Sequence, residues 1–282
     1  MAVLFSEEMI DRLMEEDVPY GDLTTYTLGI GCKMGKMVFS AREQTVLCCT
    51  EEAKRILCRC GAEVKRCASS GDMVEAGSEF LVAEGTAEAL HTGWRVSMNL
   101  LEHASGIATR TKKIVDAARS VNPGISIAMT RKSFPFAKKI AIKAILAGGA
   151  LPHRLGLSET ILVFKNHLNF LGGLDGFLAV LNEVRNKVPE RKIVVEVENR
   201  DEALRAAKAA VDAIQIDKMA SDTLREIIHE IRVINPNTKI CIAGGINASN
   251  AAEFAACGSD ILVMSSAYFG KPADMGVKII PA

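Results

Sequence analysis

From Ser126 onward the chain alternates short apolar runs with longer segments of helical spacing. Six runs stop at polar or glycine residues: Ser126-Ile127-Ala128-Met129 at Thr130-Arg131-Lys132, and Ile161-Leu162-Val163-Phe164 at Lys165-Asn166-His167. Ile193-Val194-Val195 runs into Glu196-Val197-Glu198-Asn199, and Ala213-Ile214-Gln215-Ile216 into Asp217-Lys218. Ile240-Cys241-Ile242-Ala243 ends at Gly244-Gly245, and Ile261-Leu262-Val263-Met264 at Ser265-Ser266. Near-continuous apolar runs of this length predict strands buried on both faces, as in a parallel sheet with crossover helices. A barrel or a doubly wound sheet follows, and in a parallel barrel the loops just past the strand C-termini carry the chemistry.

Residues 1 to 97 read differently. Glu7 to Glu16 has helical spacing, with Met9, Ile10, Leu13 and Met14 on one face. β-like segments at Lys36 to Ala41 and Thr45 to Cys49, a helix near Glu51 to Cys60 and turns at Gly71-Asp72 and Gly77 predict a small α+β domain. The stretch Ser70 to Gly77 is similar to a turn of lipoyl or biotinyl carrier folds but lacks their lysine hairpin, and reads as scaffold. A long helical pattern from Trp94 to Ser120 leads out of it. Further helices are predicted over Phe136 to Leu146, Leu174 to Val188, Asp201 to Ala210, Ser221 to Ile234 and Ser249 to Ala256, with Ser221 and Ser249 as N-caps. The expected division is an N-terminal domain over 1–97, to which 270–282 return, and a barrel domain over 98–269.

The 282 residues carry 34 Lys plus Arg against 34 Asp plus Glu, which argues against a broad basic surface for nucleic acid or a membrane. The balance is not local. Between Met129 and His167 stand Arg131, Lys132, Lys138, Lys139, Lys143, Arg154 and Lys165 against Glu159 alone. Lys138, Lys139 and Lys143 fit a solvated helix face; Arg131, Lys132, Arg154 and Lys165 lie near strand ends and fit anion binding. No apolar stretch approaches the length of a membrane span, and only Ala2 to Phe5 precede Ser6-Glu7-Glu8, too little for a secretory leader, so a cytoplasmic protein is expected. Six of the eight Cys fall between Cys32 and Cys67 without metal-ligand spacing, and buried reduced thiols are the expectation.

Three constellations carry chemistry. Gly244-Gly245 and Ser265-Ser266 end the last two strands, the common phosphate site of a barrel, although a glycine pair serves equally in a packing turn. Glu198 and Asp217 end adjacent strands, where two carboxylates suit Mg²⁺ or, equally, ion pairs with Arg131 or Lys165. Arg131-Lys132 and His153-Arg154 bracket one helix and place two forked guanidiniums and an imidazole on the same rim, which points to an anionic substrate.

These residues resemble the quinolinate phosphoribosyltransferase family. The resemblance runs from Glu16-Asp17 with Gly21-Asp22-Leu23-Thr24 through Arg95-x-x-x-Asn99, Ser105-Gly106-Ile107-Ala108-Thr109, Thr130-Arg131-Lys132, His153-Arg154-Leu155-Gly156-Leu157, Asn166-His167 and Val195-Glu196-Val197-Glu198 to Gly244-Gly245. It implies an incomplete α/β barrel with a smaller N-terminal α+β domain, and a homodimer, or higher oligomer, with shared active sites. It further implies transfer of phosphoribosyl from phosphoribosyl diphosphate to the ring nitrogen of an acidic heterocycle, with Mg²⁺. Arg95 matches an arginine lent by the neighbouring subunit; Arg131, His153 and Arg154 match residues that hold the acid; Lys132 stands near the donor. Glu198 and Asp217 match the pair near ribose and Mg²⁺, and Gly244, Gly245 and the Ser265 loop the 5′-phosphate cradle. Phe164 stands where the family has a lysine and Lys165 where it has an aspartate; a Glu-Ser-Ser-Gly-Gly run has become Cys241 to Gly245. These departures resemble the ModD branch, associated with molybdenum transport. Two rival readings remain open at this point: an aldolase-like barrel with Lys165 as a Schiff-base lysine, and a non-catalytic sensor or chaperone for a nucleotide or oxyanion.

Overall fold

The computed structural model describes residues 3–282. The strands in chain order are β1 (Met34–Ala41), β2 (Thr45–Val46), β3 (Glu63–Cys67), β4 (Met73–Val74), β5 (Glu79–Thr86), β6 (Ser126–Met129) and β7 (Leu151–Pro152). They continue as β8 (Ile161–Val163), β9 (Ile193–Val197), β10 (Ala213–Asp217), β11 (Lys239–Ala243), β12 (Ile261–Met264) and β13 (Met275–Pro281). The chain divides into two compact units, one of residues 1–112, 134–149 and 267–282, the other of residues 113–133 and 150–266.

The first unit is built on a sheet in the order β13-β1-β5-β3, antiparallel at each pairing. Alternate residues of β1 are buried, as one covered and one wetter face demand, so Met37, Phe39 and Ala41 enter a core with Leu57, Phe80, Leu81, Leu90 and Leu101. Burying each of the larger side chains contributes roughly 1.5–3 kcal/mol. A helix of 35 residues, Ala87–Val121, begins in this unit and ends in the other. It starts earlier than the expected Trp94, because Thr86 Oγ1 accepts the Ala89 N–H at 3.2 Å and tethers the first turn, and Leu90 is fully buried.

The second unit holds a seven-stranded parallel sheet in the order β7-β6-β12-β11-β10-β9-β8, with helices in the crossovers. It curls but leaves β7 and β8 as unpaired edges, a half-barrel, and it contains all six strands expected from the apolar runs. The seventh, β7, has two residues, too short to leave a periodic signal. Small buried side chains, Ala128, Val194, Ala213, Cys241, Ala243 and Val263, form a core cluster on this sheet. Two expected caps are corrected. Ala220 and Asn250 occupy the N-cap positions; Ser221 Oγ instead donates to Glu253 at 2.5 Å, and Ser249 Oγ to Asn247 Oδ1 at 2.6 Å. Among the described residues no helix is long and apolar enough to cross a membrane. All eight cysteines are free, yet Cys32 and Cys58 are exposed, so the expectation of buried thiols holds only for the others in part or whole.

Candidate active site

The C-terminal ends of the parallel strands open into one cavity of about 600 Å³, within the range of small-molecule sites. Each strand supplies its part through the first residues beyond it, and the ladder continues far enough to hold them. Thr130 N donates to Met264 O at 2.8 Å, His153 N to Met129 O at 2.8 Å, and Lys218 N to Ala243 O at 2.9 Å. Arg131 and Lys132 after β6, and His153 and Arg154 after β7, form the basic side of the cavity. Burial and the neighbouring Arg131 both lower the pKa of Arg154, with Glu159 opposing; burial and Arg154 likewise depress His153. Both causes disfavour the imidazolium, so His153 is a neutral hydrogen-bonding group beside Arg154 near pH 7.

Across the cavity stand Glu196 on β9 and Gln215 and Asp217 on β10. Gln215 Nε2 donates to Glu196 Oε2 at 2.6 Å, and Lys218 Nζ pairs with Asp217 at 2.7 Å. Burial pushes the Glu196 carboxyl up, reinforced by Asp217 and opposed by Gln215 and Lys218. The glycine turn after β11 sits against this pair. Gly244 has φ +96°, and a Cβ there would lie 2.6 Å from Lys218 Cγ and 2.8 Å from Lys218 N. Only glycine lets these two loops approach so closely, and Gly245, also at positive φ, leaves open space above its backbone. Successive backbone N–H groups in a turn can form a concavity suited to an anion. Lys218 itself adopts φ +56°, an uncommon conformation for a side-chain-bearing residue, held by the packing of Gly244.

Of the residues singled out from the sequence, Lys132, Asp217, Arg131, His153, Arg154, Gly244, Gly245 and Ser265 line this cavity. Glu198, Lys165 and Ser266 are not among its lining residues. Glu198 and Lys165 bind each other at 2.9 Å on the exposed rim. That pairing lowers the Glu198 carboxyl and raises the Lys165 amine, the opposite of what a Schiff-base lysine needs, so the aldolase reading finds no support at this lysine. Ser266 Oγ is buried without a partner. Arg95 belongs to the first unit, its guanidinium 3.9 Å above the Trp94 ring, beside a recess shared with His91, Asp17 and Asp22. Lys143 does not coat a solvated face as expected; it pairs with Glu52 at 2.5 Å and Glu51 at 2.8 Å inside the first unit. Three cavity residues, Glu196, Gln215 and Lys218, were not singled out. The signal was present: counting back by two from Glu198 and Asp217, the period of a strand, reaches Glu196 and Gln215 on the same face.

The family model for the quinolinate phosphoribosyl transferase C-terminal domain matches residues 107–278, and that for the N-terminal domain matches residues 22–105. The chain belongs to the quinolinate phosphoribosyltransferase family. This phosphoribosyltransferase is 41% identical over 251 residues to "Putative pyrophosphorylase ModD" of Rhodobacter capsulatus, covering 88% of this chain and 95% of that one. It is 31% identical over 280 residues to "Probable nicotinate-nucleotide pyrophosphorylase (carboxylating)" of Methanothermobacter thermautotrophicus, covering 96% and 98%. The crystal structure of NadC from Streptococcus pyogenes superposes with a TM-score of 0.89 at 25% identity over the whole of both chains. The protein is a pentosyltransferase of the nicotinate-nucleotide pyrophosphorylase type.

Proposed function

We propose that this protein transfers phosphoribosyl from phosphoribosyl diphosphate to the ring nitrogen of an acidic heterocycle. The observation that carries the reading is the single cavity in which Arg131, Lys132 and Arg154 face Asp217 and the Gly244-Gly245 turn. A transferase of this kind needs two anionic reactants held side by side, and no covalent nucleophile. Gly244 and Gly245, with Ser265, cradle the 5′-phosphate; Lys132 neutralises the diphosphate; Arg131, Arg154 and neutral His153 orient the acid. The ring nitrogen attacks the anomeric carbon as the bond to diphosphate breaks, and Asp217 stabilises the positive charge that develops on ribose. Where the acceptor carries a carboxylate on the carbon next to that nitrogen, as quinolinate does, the cationic nucleotide loses CO₂; the electron pair left on the ring carbon takes a proton.

Mg²⁺ fits this reading. Among the described residues no three His, Cys, Asp or Glu side chains gather as a metal cage, but Mg²⁺ is ordinarily held by one or two carboxylates plus substrate phosphates. Asp217 lines the cavity and offers a hard oxygen there, although it also pairs with Lys218 at 2.7 Å, whereas Glu198, the other carboxylate expected for this role, pairs with Lys165 outside the cavity lining. The ion would supply charge neutralisation on the leaving diphosphate. A homodimer with shared sites belongs to the same reading. Arg95 lies outside the cavity lining, in a region of the first unit where Tyr20, Leu23, Tyr26 and Leu28 are exposed.

The test is diphosphate release from phosphoribosyl diphosphate and Mg²⁺ across a panel of heterocyclic acids, with Arg131→Ala and Asp217→Asn as controls. Release with at least one acid, abolished in both variants, supports the proposal. Binding of the donor without turnover on any acid overturns it in favour of a sensor.

A further inference from the structure

Among the described residues four cations line the cavity, and three of them, Arg131, Lys132 and Arg154, follow β6 and β7. The fourth is Lys218. It follows β10, whose last residue Asp217 is opposite Ala243 in the parallel register, so Lys218 stands beside Gly244, the first residue of the glycine turn. The approach is close. A Cβ on Gly244 would lie 2.6 Å from Lys218 Cγ and 3.0 Å from Asp217 Oδ1, and the Lys218 ammonium sits 2.7 Å from Asp217 Oδ2. Stem, carboxylate and ammonium are thus gathered against one turn.

An anion seated on that turn meets Asp217 Oδ1 at its side, and a bare carboxylate next to a phosphate repels it in a recess where screening is weak. A cation between the two removes the repulsion. The lysine side chain is 78% exposed against 14% for the aspartate, so Lys218 is the more open half of the pair. An ammonium has three N–H donors, and its bond to Asp217 engages one of them. That bond raises the Lys218 amine, which keeps it a full cation through the neutral range.

The backbone is an independent observation. Lys218 adopts φ +56°, which costs a side-chain-bearing residue free energy, whereas an ion pair to so exposed a lysine returns little. The pair alone does not account for the conformation. Aiming a side chain at a ligand does, and strain of this kind gathers at such sites.

Resting on the transferase reading above, we infer that Lys218 is a donor-binding residue that holds the 5′-phosphate against the Gly244-Gly245 turn and shields that phosphate from Asp217. The ligand class is a ribose phosphomonoester.

Calorimetry on the full chain tests this in two arms. The first titrates phosphoribosyl diphosphate with Mg²⁺; failure of wild-type protein to bind it refutes the transferase reading, and the inference with it. The second titrates ribose 5-phosphate without metal, so that neither diphosphate nor Mg²⁺ contributes. Lys218→Met should weaken its binding roughly tenfold or more, the worth of one charged hydrogen bond. Lys218→Gly, which suits the left-handed backbone, should show the same loss with a thermal midpoint at or above that of wild type. Adding Asp217→Asn to Lys218→Met should recover part of the affinity, because the repelling charge is gone; a purely structural pair gives no such rescue. With the donor bound in the first arm, the inference alone is overturned if ribose 5-phosphate fails to bind wild type, or if either Lys218 variant binds it as tightly as wild type does. It is overturned equally if affinity falls only where the thermal midpoint falls, or if the double variant recovers nothing.

Discussion

Two carboxylates withdrawn from solvent to different degrees, one in each unit, show how a fold treats an acid it needs for support and one it leaves available. In the first unit Glu52, its side chain 6% exposed, is met by Lys143 at 2.5 Å, and Lys143 is shared with Glu51. Burial pushes the Glu51 carboxyl up, but hydrogen bonds from Lys143 and Ser70 outweigh it and hold the group at about 2. In the second unit Glu196 receives an amide N–H but no cation, and burial raises it. The first acid is satisfied within the protein; the second is satisfied only in part, and at the edge of a cavity. A partner supplied internally marks structure, and an acceptor left open beside a void marks binding.

The largest effect that would sharpen this contrast is expected for Lys143→Met. It strands the buried Glu52 without its cation and should lower unfolding free energy by roughly 3–5 kcal/mol in a urea titration. A loss below 1 kcal/mol, on the scale of an exposed pair, would break the distinction.

On the other side, Gly244→Ala must push a methyl into Lys218, because the Cβ would lie 2.6 Å from its Cγ. Together with the positive φ, a cost of about 1–3 kcal/mol is expected, and donor affinity should fall while Gly245→Ala, which meets nothing within 4 Å, affects donor affinity less. Equal donor affinities in the two alanine variants would show that the close approach of the two loops does not shape the phosphate cradle.

Glu196→Gln should behave opposite to the lysine variant. Because the folded state already disfavours the Glu196 charge, removing it should leave stability unchanged or raise it by up to about 1 kcal/mol, while acceptor binding weakens. Destabilisation comparable to that of Lys143→Met would make Glu196 a structural acid after all.

The smallest effects come from pH. Glu51 binds its proton less readily folded than unfolded, so its contribution is complete above its ordinary value of 4.5 and is lost as pH falls toward about 2. His153 is also depressed, which means that acid costs folded stability once the unfolded imidazole begins to take up a proton, below its ordinary 6.5. Thermal midpoints should therefore decline slightly below pH 6.5 and more steeply below 4.5, and His153→Gln should remove the upper phase alone. Persistence of that phase in the variant would assign it to another group.

Much of this arrangement was legible from the chain. The apolar runs at 126, 161, 193, 213, 240 and 261 became strands, since a strand buried on both faces must be apolar throughout. The basic residues past β6 and β7 and the glycines past β11 reached one cavity because parallel strands aim all their C-terminal loops the same way. What was not legible depended on partners distant in sequence. Nothing near Lys143 announces Glu51 and Glu52, some 92 and 91 residues away, and a lysine on an amphipathic helix ordinarily faces water. Lys165 likewise found Glu198, 33 residues on, which removed both from the cavity lining.

The sequence by itself determined the parallel strands, the cations just past them and the glycine turn, because hydrophobic period and backbone freedom are properties of neighbouring residues. Only the tertiary structure decided that Glu196 rather than Glu198 lines the cavity, and that Lys165 closes on Glu198 at the rim. Those outcomes depend on which side chains from other strands arrive first at each polar atom, and sheet register, not local pattern, sets that.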